Sequence, residues 1–471
     1  MNTRVCNSSC LSLRHHCGVV GISANKDLNM PERLFYPLFA LQHRGQESAG
    51  IAYQRNGKLV FYKNLGMVSQ VLSHYLQEDH VSRVGIGHVR YSTQGGNKIE
   101  NAQPFCITCN KGQIAFGHNG NISNSDDLRA TLFDAGSIFQ STSDTELILH
   151  LLSRSRKKNF REALLEVLPL LQGAYSGVFI HEDTLVAVRD PMGFRPLVMG
   201  KSLDMTVFAS ETCALDTLGI STHEEVAPGE IIMVKDGHIT ERFTWPSEIK
   251  KGHCIFELIY FARPDSTVFG YSVHMLRKKM GAALAAIDNC RTDIVIPVPD
   301  SGNSAALGFS VASGTQLEYG LTRNHYSGRT FIQPTPQMRE FAVRLKLHPI
   351  KRAVTGKKMT VIDDSLVRGT TSKILITLLR EAGAKEIHLR LCSPEIKHPC
   401  FFGIDIPTPT ELISNRMTPQ QIAESIGADS VQFLSVESLR ACVDNPNDFC
   451  YGCFSGDYPC PVKDSPMRRK N

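Results

Sequence analysis

Between Lys357 and Thr371 the chain reads KKMTVIDDSLVRGTT, and the order of residue types there leaves few folds open. Met359–Ile362 is a short apolar run, two carboxylates follow, and Ser365, Arg368, Gly369, Thr370 and Thr371 lead into SKILITLLREAG. In that second stretch Ile374, Leu375, Leu378, Leu379 and Ala382 recur at helical spacing behind a hydroxyl cap, with Gly383 as a stop, so the pattern predicts strand, loop, helix. The loop then lies at the carboxyl end of a strand and at a helix N-terminus. Unpaired backbone N–H groups, the helix dipole, hydroxyls and a glycine that permits close approach all favour a phosphate there. Asp363 and Asp364 would repel a bare phosphate, so they need another partner; sugar hydroxyls and a magnesium ion both fit. The bland alternative is a strand–loop–helix whose carboxylates cap the next helix, and the full VIDDSLVRGTT string weighs against it.

Length decides how much else the chain holds. With 471 residues, 42% of them apolar, it can build two or three domains, each with its own core. A formal charge of +5 is small for this length, which argues against a nucleic-acid stripe and suits a polyphosphate pocket. No apolar run reaches the length of a bilayer span, and the leader MNTRVCNSSCLSLRHH lacks the apolar core of a secretory signal. A cytoplasmic protein with no membrane or nucleic-acid partner is expected; the Arg4, Arg14 and serines of the acid-free leader leave plastid import as the alternative. Fourteen cysteines point to thiol chemistry, metal binding or buried thiols rather than a disulfide scaffold.

In the first half, CGVVGISAN begins an apolar, β-branched run at Cys17, and HRGQESAGIAY, GHVRYSTQG and GHNGNISN follow. Alternating runs such as KLVFYK and QIAFG between Gly- and Asn-rich turns suggest antiparallel sheet, with helices over Pro31–Gln42, Asp126–Ala135 and Thr145–Ser153. No histidine is assignable to Cys17 as a base. Once residues 1–16 are removed, the α-amine of Cys17 is itself a base with a pKa near neutrality, within reach of its own thiol. Asn119 and Gly120 offer a side-chain amide and a backbone N–H to an oxyanion. Arg90 can fork onto an α-carboxylate and Asp144 can accept from an α-ammonium, so together they describe a glutamine pocket.

These strings, with STSDTE at Ser141–Glu146, resemble the class II glutamine amidotransferases, and the Asp363–Thr371 loop is similar to that of type I phosphoribosyltransferases, which bind phosphoribosyl pyrophosphate (PRPP). Joined on one chain, from Cys17 to about Val462, they resemble the amidophosphoribosyltransferase family. The resemblance implies an α+β N-terminal-nucleophile (αββα) domain followed by an α/β phosphoribosyltransferase domain with a mostly parallel sheet. The expected limits are a leader over 1–16, domains over 17–250 and 251–460, and a tail over 461–471. DPMGFRPLVMG and SETCALD complete the first domain in the family's manner, and IFELIYFARPDS at Ile255–Ser266 looks like its entry to the second, with Leu258 where such enzymes often have tyrosine.

DIVIPVPDSGNSAA at Asp293–Ala306 is a second strand-to-helix crossing, which the resemblance assigns to pyrophosphate and to the magnesium site, with Ser301 as the hydroxyl ligand beside Asp363 and Asp364. Many relatives carry serine or alanine at the next position, where this chain has Gly302. Asn324–Leu347 is similar to the family's flexible loop that closes over PRPP, and Arg329 and Lys346 are its candidates to meet pyrophosphate. Cys450 and Cys453 form a C-x-x-C, with Cys254 at the junction and Cys400 past the sheet. Spacing alone leaves zinc, iron–sulfur or nothing open. The resemblance implies a [4Fe–4S] cluster, since some family members carry one and Cys254, Cys400, Cys450 and Cys453 match its four positions. Cys106 and Cys109, the other C-x-x-C, read as reduced structural thiols.

The implied reaction takes glutamine and PRPP to 5-phosphoribosylamine, glutamate and pyrophosphate, with ammonia passed between the sites, and opens purine synthesis. Purine nucleotides are the expected feedback inhibitors, and a homo-oligomer, tetramer or dimer, the expected assembly. The alternative is a catalytically inactive PRPP- or nucleotide-sensing regulator. A phosphoribosyltransferase using a base as nucleophile would leave the first half unexplained.

Overall fold

A computed structural model describes residues 17–77, 80–91, 98–245, 250–324, 343–406 and 408–462. The strand Gly18–Asn29 lies inside a seven-stranded antiparallel sheet, flanked by Val81–Arg90 and Met205–Ala209. Side chains of a strand alternate between faces, and this one is apolar on both. Val20, Ile22 and Ala24 pack with Met30, Leu34 and Leu38 of the helix Met30–Ala40, while Val19 faces a second sheet. That sheet has six antiparallel strands, with Gly112–Ile122 and Gly173–His181 paired near its edge. Val84, Ile86, Val178, Ile180, Leu185 and Ala187 fill the space between the sheets. Ile148, Leu149 and Leu152 of the helix Thr145–Arg154, with Phe160 and Leu164 of Phe160–Val167, cover the outer face of the second sheet. The layering is helix, sheet, sheet, helix, as the resemblance implies.

The second half turns to parallel pairing. Ile294–Pro297, Lys358–Asp363, Glu386–Leu391 and Ser430–Phe433 lie side by side in that order, all parallel. Both faces are covered, which is why these strands are nearly continuous apolar runs. Leu375, Ile376 and Leu379 of the helix Thr370–Glu381 and Ile422 of Pro419–Ile426 pack on Ile296, Met359, Val361 and Leu389. On the other face Leu276, Met280 and Leu284 of Val273–Ile287 and Phe309 of Asn303–Ser313 pack toward Val295 and Ile362. The expected helices Pro31–Gln42, Asp126–Ala135 and Thr145–Ser153 agree to within two residues with Met30–Ala40, Ser125–Asp134 and Thr145–Arg154, whereas the strand begun by QIAFG continues to Ile122.

His118–Asn121 lies within the strand Gly112–Ile122, which extends the QIAFG run, and is paired residue by residue with Ala174–Gly177. Gly120 there serves close approach to the Ala174 carbonyl. Between the halves runs a single π-helical turn, Glu257–Phe261, and beside it Cys254 pairs in parallel register with Cys450 near the C-terminal end of the described chain. Among the described residues no helix is long and apolar enough to cross a membrane.

Candidate active sites

Pairing of Gly18 with Val89 brings Cys17, the residue before the strand, beside Arg90 at the end of the neighbouring strand. The thiol is buried and donates to the carbonyl oxygen of Tyr91 at 3.6 Å. Burial pushes its pKa up to about 11; the Arg90 guanidinium pulls the other way, and the carboxylates of Asp144 and Glu47 add to the rise. Arg90 and Asp144 therefore bear on the thiol with opposite charges, an arrangement that matches an α-amino acid. Asp144 stands at the start of the helix Thr145–Arg154 and accepts from the Ile122 amide at 2.9 Å.

The strand Gly112–Ile122 carries the oxyanion candidates. Asn119 is fully buried, and neither polar atom of its amide has a hydrogen-bond partner among the described residues. Gly120 adopts φ +151°, and a Cβ on it would stand 2.0 Å from the carbonyl oxygen of Ala174, so only glycine fits. His118 lies within 3.2 Å of the Thr145 hydroxyl through Nδ1, and His88 Nε2 donates to the His118 carbonyl at 3.0 Å. Burial lowers the pKa of both rings, that of His88 to about 3, so they stay neutral frames of the pocket.

In the second half the strand Lys358–Asp363 ends in the carboxylate pair, and the loop closes at Gly369, whose φ of +78° precedes the helix Thr370–Glu381. The Asp364 amide donates to Asp363 Oδ1 at 2.9 Å, and the hydroxyls of Ser365 and Ser301 bond the Asp364 carboxylate. Burial and then mutual repulsion push Asp363 well above the usual carboxylate range, and burial raises Asp364 despite its hydroxyl partners. Lys346 bears on Asp363 from the base of the ribbon formed by Leu321–Arg323 and Leu347–Pro349. Arg368 lies at the rim, with Nη2 donating to Glu411 at 3.4 Å; Thr370 and Thr371 open the helix. A Cβ on Gly302 would lie 2.3 Å from the Ile362 carbonyl oxygen, so in this backbone the position admits no side chain. Arg329, most of the Asn324–Leu347 loop, Ser92 and Thr93 of the VRYST string, and the leader lie outside the described residues.

The four candidate cluster thiols converge from three parts of the chain. Cys254 and Cys450 sit side by side in parallel register, and each of Cys254, Cys450 and Cys453 has its pKa raised first by burial and further by neighbouring thiols of the set. The Phe402 amide donates to Cys400 Sγ at 3.3 Å. Cys106 and Cys109 are free thiols on the strand Phe105–Cys109, with burial pushing Cys106 up to about 12.

Other site residues were not singled out from the sequence. Arg44 donates through Nε to the Cys17 carbonyl at 3.2 Å and pairs with Glu211 and Glu257. Arg277, buried, faces Asp364 and donates to the carbonyls of Leu258 and Ala262 at 2.9 and 2.8 Å. The available signal for Glu257 and Glu211 is a carboxylate beside apolar residues, in FELIYF and SETCALD; HRGQES is polar throughout and gives none for Arg44.

Comparison with known proteins covers both halves. The glutamine amidotransferase domain family matches residues 88–217. The chain is similar to amidophosphoribosyltransferase 2, chloroplastic, of Arabidopsis thaliana, at 47% identity over 461 residues, 97% of this chain and 81% of the relative. It is 45% identical over 462 residues to the amidophosphoribosyltransferase of Methanocaldococcus jannaschii, covering 95% of this chain and 98% of the other. Among solved structures, glutamine PRPP amidotransferase from B. subtilis complexed with ADP and GMP superposes with a TM-score of 0.88 at 41% identity, over 95% of this chain and 98% of that one.

Proposed function

The chain belongs to the amidophosphoribosyltransferase family, and on that premise we propose how its own residues divide the reaction. The enzyme hydrolyses glutamine, channels the ammonia to PRPP and forms 5-phosphoribosylamine, glutamate and pyrophosphate, the first step of purine synthesis. The relatives matched over nearly the whole of this chain are named amidophosphoribosyltransferases, which argues against an inactive sensor.

In our reading residues 1–16 are removed, and the freed amine of Cys17 takes the thiol proton as the sulfur attacks the glutamine carboxamide. Arg90 receives the α-carboxylate and Asp144 the α-ammonium. Negative charge on the tetrahedral oxygen is met by the Asn119 amide and the Gly120 N–H. Ammonia leaves, and water cleaves the thioester to glutamate. The observation that carries this reading is the Asn119 amide, buried with both polar atoms unpartnered among the described residues. A native protein bears such a cost, about 1–3 kcal/mol, where a ligand completes the group.

At the second site Asp363 and Asp364 orient the ribose hydroxyls, while Ser365, Arg368, Gly369, Thr370 and Thr371 surround phosphate at the helix N-terminus. Arg329 and Lys346 meet the pyrophosphate. Magnesium fits Asp363, Asp364 and Ser301, because two crowded carboxyls, one half-buried and one buried, and a hydroxyl form an oxygen set that a hard cation relieves. When bound, it supplies charge neutralisation to the leaving pyrophosphate.

Cys254, Cys400, Cys450 and Cys453 fit a [4Fe–4S] cluster: they are buried or nearly so, mutually close, and backed by an amide donor. Among the described residues no three His, Cys, Asp or Glu side chains close on one point as a single ion requires. In a four-iron cluster each thiolate takes a different iron, so a wider set suits it. When bound, the cluster supplies a staple between the junction and the C-terminal segment. Purine nucleotides are proposed as feedback ligands, since the B. subtilis relative was solved with ADP and GMP. A homo-oligomer, dimer or tetramer, completes the proposal, with a cytoplasmic or plastid location to be decided by a leader–reporter fusion.

The test is Cys17→Ala. Glutamine hydrolysis is expected to vanish while synthesis from free ammonia persists, because the transferase site uses no thiol. Hydrolysis at a comparable rate would refute the assignment.

A further inference from the structure

Arg44, Arg195, Glu211 and Glu257 lie in the interior between the two halves, each no more than 1% exposed. Two charges of each sign balance, yet such burial is tolerated only where nearly every donor and acceptor is used. Glu257, on the π-helical turn at the junction, is the centre. Its oxygens accept from Arg44 Nη2 at 2.8 and 2.9 Å, and Oε1 also accepts from Arg195 Nη1 at 3.1 Å.

Each arginine leads to one half of the glutamine site. Arg44 donates through Nε to the carbonyl of Cys17, so it grips the peptide next to the carbon that bears both thiol and amine. Arg195 donates through Nη2 to the carbonyl of Phe402, two residues after Cys400. That segment stands directly behind the oxyanion pair. Asn121 Nδ2 donates to the Phe401 carbonyl at 2.9 Å, and a Cβ on Gly403 would be 3.3 Å from the carbonyl of Gly120. On its far side Arg44 pairs with Glu211, which His43 Nε2 and the Ser266 hydroxyl each approach at 2.7 Å.

We propose that Glu257 is a positioning residue for glutamine hydrolysis: through Arg44 it holds the Cys17 peptide, and through Arg195 it holds the Phe401–Gly403 segment behind Gly120. Nucleophile and oxyanion donors come from different sheets, and this carboxylate sets both in one frame. The Arg44 guanidinium meets the Cys17 carbonyl, Glu211 and Glu257 through three different nitrogens, which fixes orientation as well as distance, as a nucleophile requires and a mere staple between halves does not. The inference rests on the reading of Cys17 given above.

The test is Glu257→Gln in the full chain, which keeps the side chain's shape but turns N–H donors toward a guanidinium. The expected result is a fall of about tenfold to a hundredfold in kcat for glutamine hydrolysis, with KM for glutamine and ammonia-dependent synthesis unchanged within error. Glu257→Asp should recover part of the rate. Alkylation of Cys17 by a diazoketone analogue of glutamine should slow in parallel. Equal loss of glutamine- and ammonia-dependent synthesis would show a purely structural role and overturn the proposal, as would full hydrolysis in a folded Glu257→Gln protein. Should that variant fail to fold, Arg44→Lys, which keeps the charge and loses the fork, is read by the same split and the same refutations. Cys17→Ala separates the two readings. If it still hydrolyses glutamine, the nucleophile assignment fails; if it is inactive while Glu257→Gln is fully active, only the present inference fails.

Discussion

The amide of Asn119 makes no hydrogen bond among the described residues although it is fully buried. Removing it therefore leaves no partner unsatisfied. Asn119→Ala is expected to unfold at the same or a higher temperature than the parent, while kcat for glutamine hydrolysis drops about 10²–10³-fold, the usual effect of losing one oxyanion donor. A thermal melt run beside a glutaminase assay checks both halves of that statement. Cys17 yields a pH prediction. With its pKa pushed up to about 11 by burial, the thiol keeps its proton at neutrality, so a base must take it. A free α-amine, ordinarily titrating at about 7.7–8.0, accepts a proton only when neutral. Activity is thus lost as the pH falls below that pKa and rises as the pH climbs through it. A profile of kcat/KM for glutamine that is flat from acid to neutral pH would contradict an α-amine base.

At the scale of the element, the loop between the strand Lys358–Asp363 and the helix Thr370–Glu381 concentrates two like charges in a buried corner. Burial raises both pKa values, and repulsion from Asp364 adds to the rise of Asp363, so the folded state favours the neutral forms and the charges are held at a cost. Replacing both by amides relieves that repulsion. Asp363→Asn with Asp364→Asn is expected to fold at least as stably in urea, yet to lose synthesis from glutamine and from ammonia alike, with weakened PRPP binding. Unchanged PRPP affinity would remove these carboxylates from the site. The strand Gly112–Ile122 makes the companion point: its Gly120 answers the close carbonyl of Ala174 on the neighbouring strand rather than a reversal of the chain.

For the whole molecule, the two halves meet through the buried pairs of Arg44 and Arg195 with Glu257 and through an apolar cluster that holds Ala174 and Phe194 with Phe256 and Phe402, while the converging thiols tie the C-terminal segment to the junction. Cys254, Cys400 and the Cys450–Cys453 pair come from three separated segments, and they meet only when the C-terminal segment has docked on the junction. Cys450→Ser is expected to prevent stable cluster assembly and to leave much of the protein at the mass of the unprocessed chain. Iron content, visible absorption and intact mass of the native and variant proteins check this. A native protein without iron, or a fully processed and active variant, would separate the thiols from maturation.

Much of this was legible in the chain because it is local. Helical spacing over Ile374–Ala382, the apolar, β-branched run from Cys17 and the strings at Asp363–Thr371 and His118–Asn121 report on neighbours within a few residues, and periodicity records which face is buried. What the tertiary structure alone decided is who stands opposite whom. Sheet register puts Cys17 beside Arg90, and docking of the halves sets Glu257 against Arg44, 213 residues away in sequence. Neither leaves a local trace, since a buried arginine and a solvated one look alike in a sequence. The charges of HRGQES and FELIYF become a single network only where low-dielectric burial obliges each to find its partner.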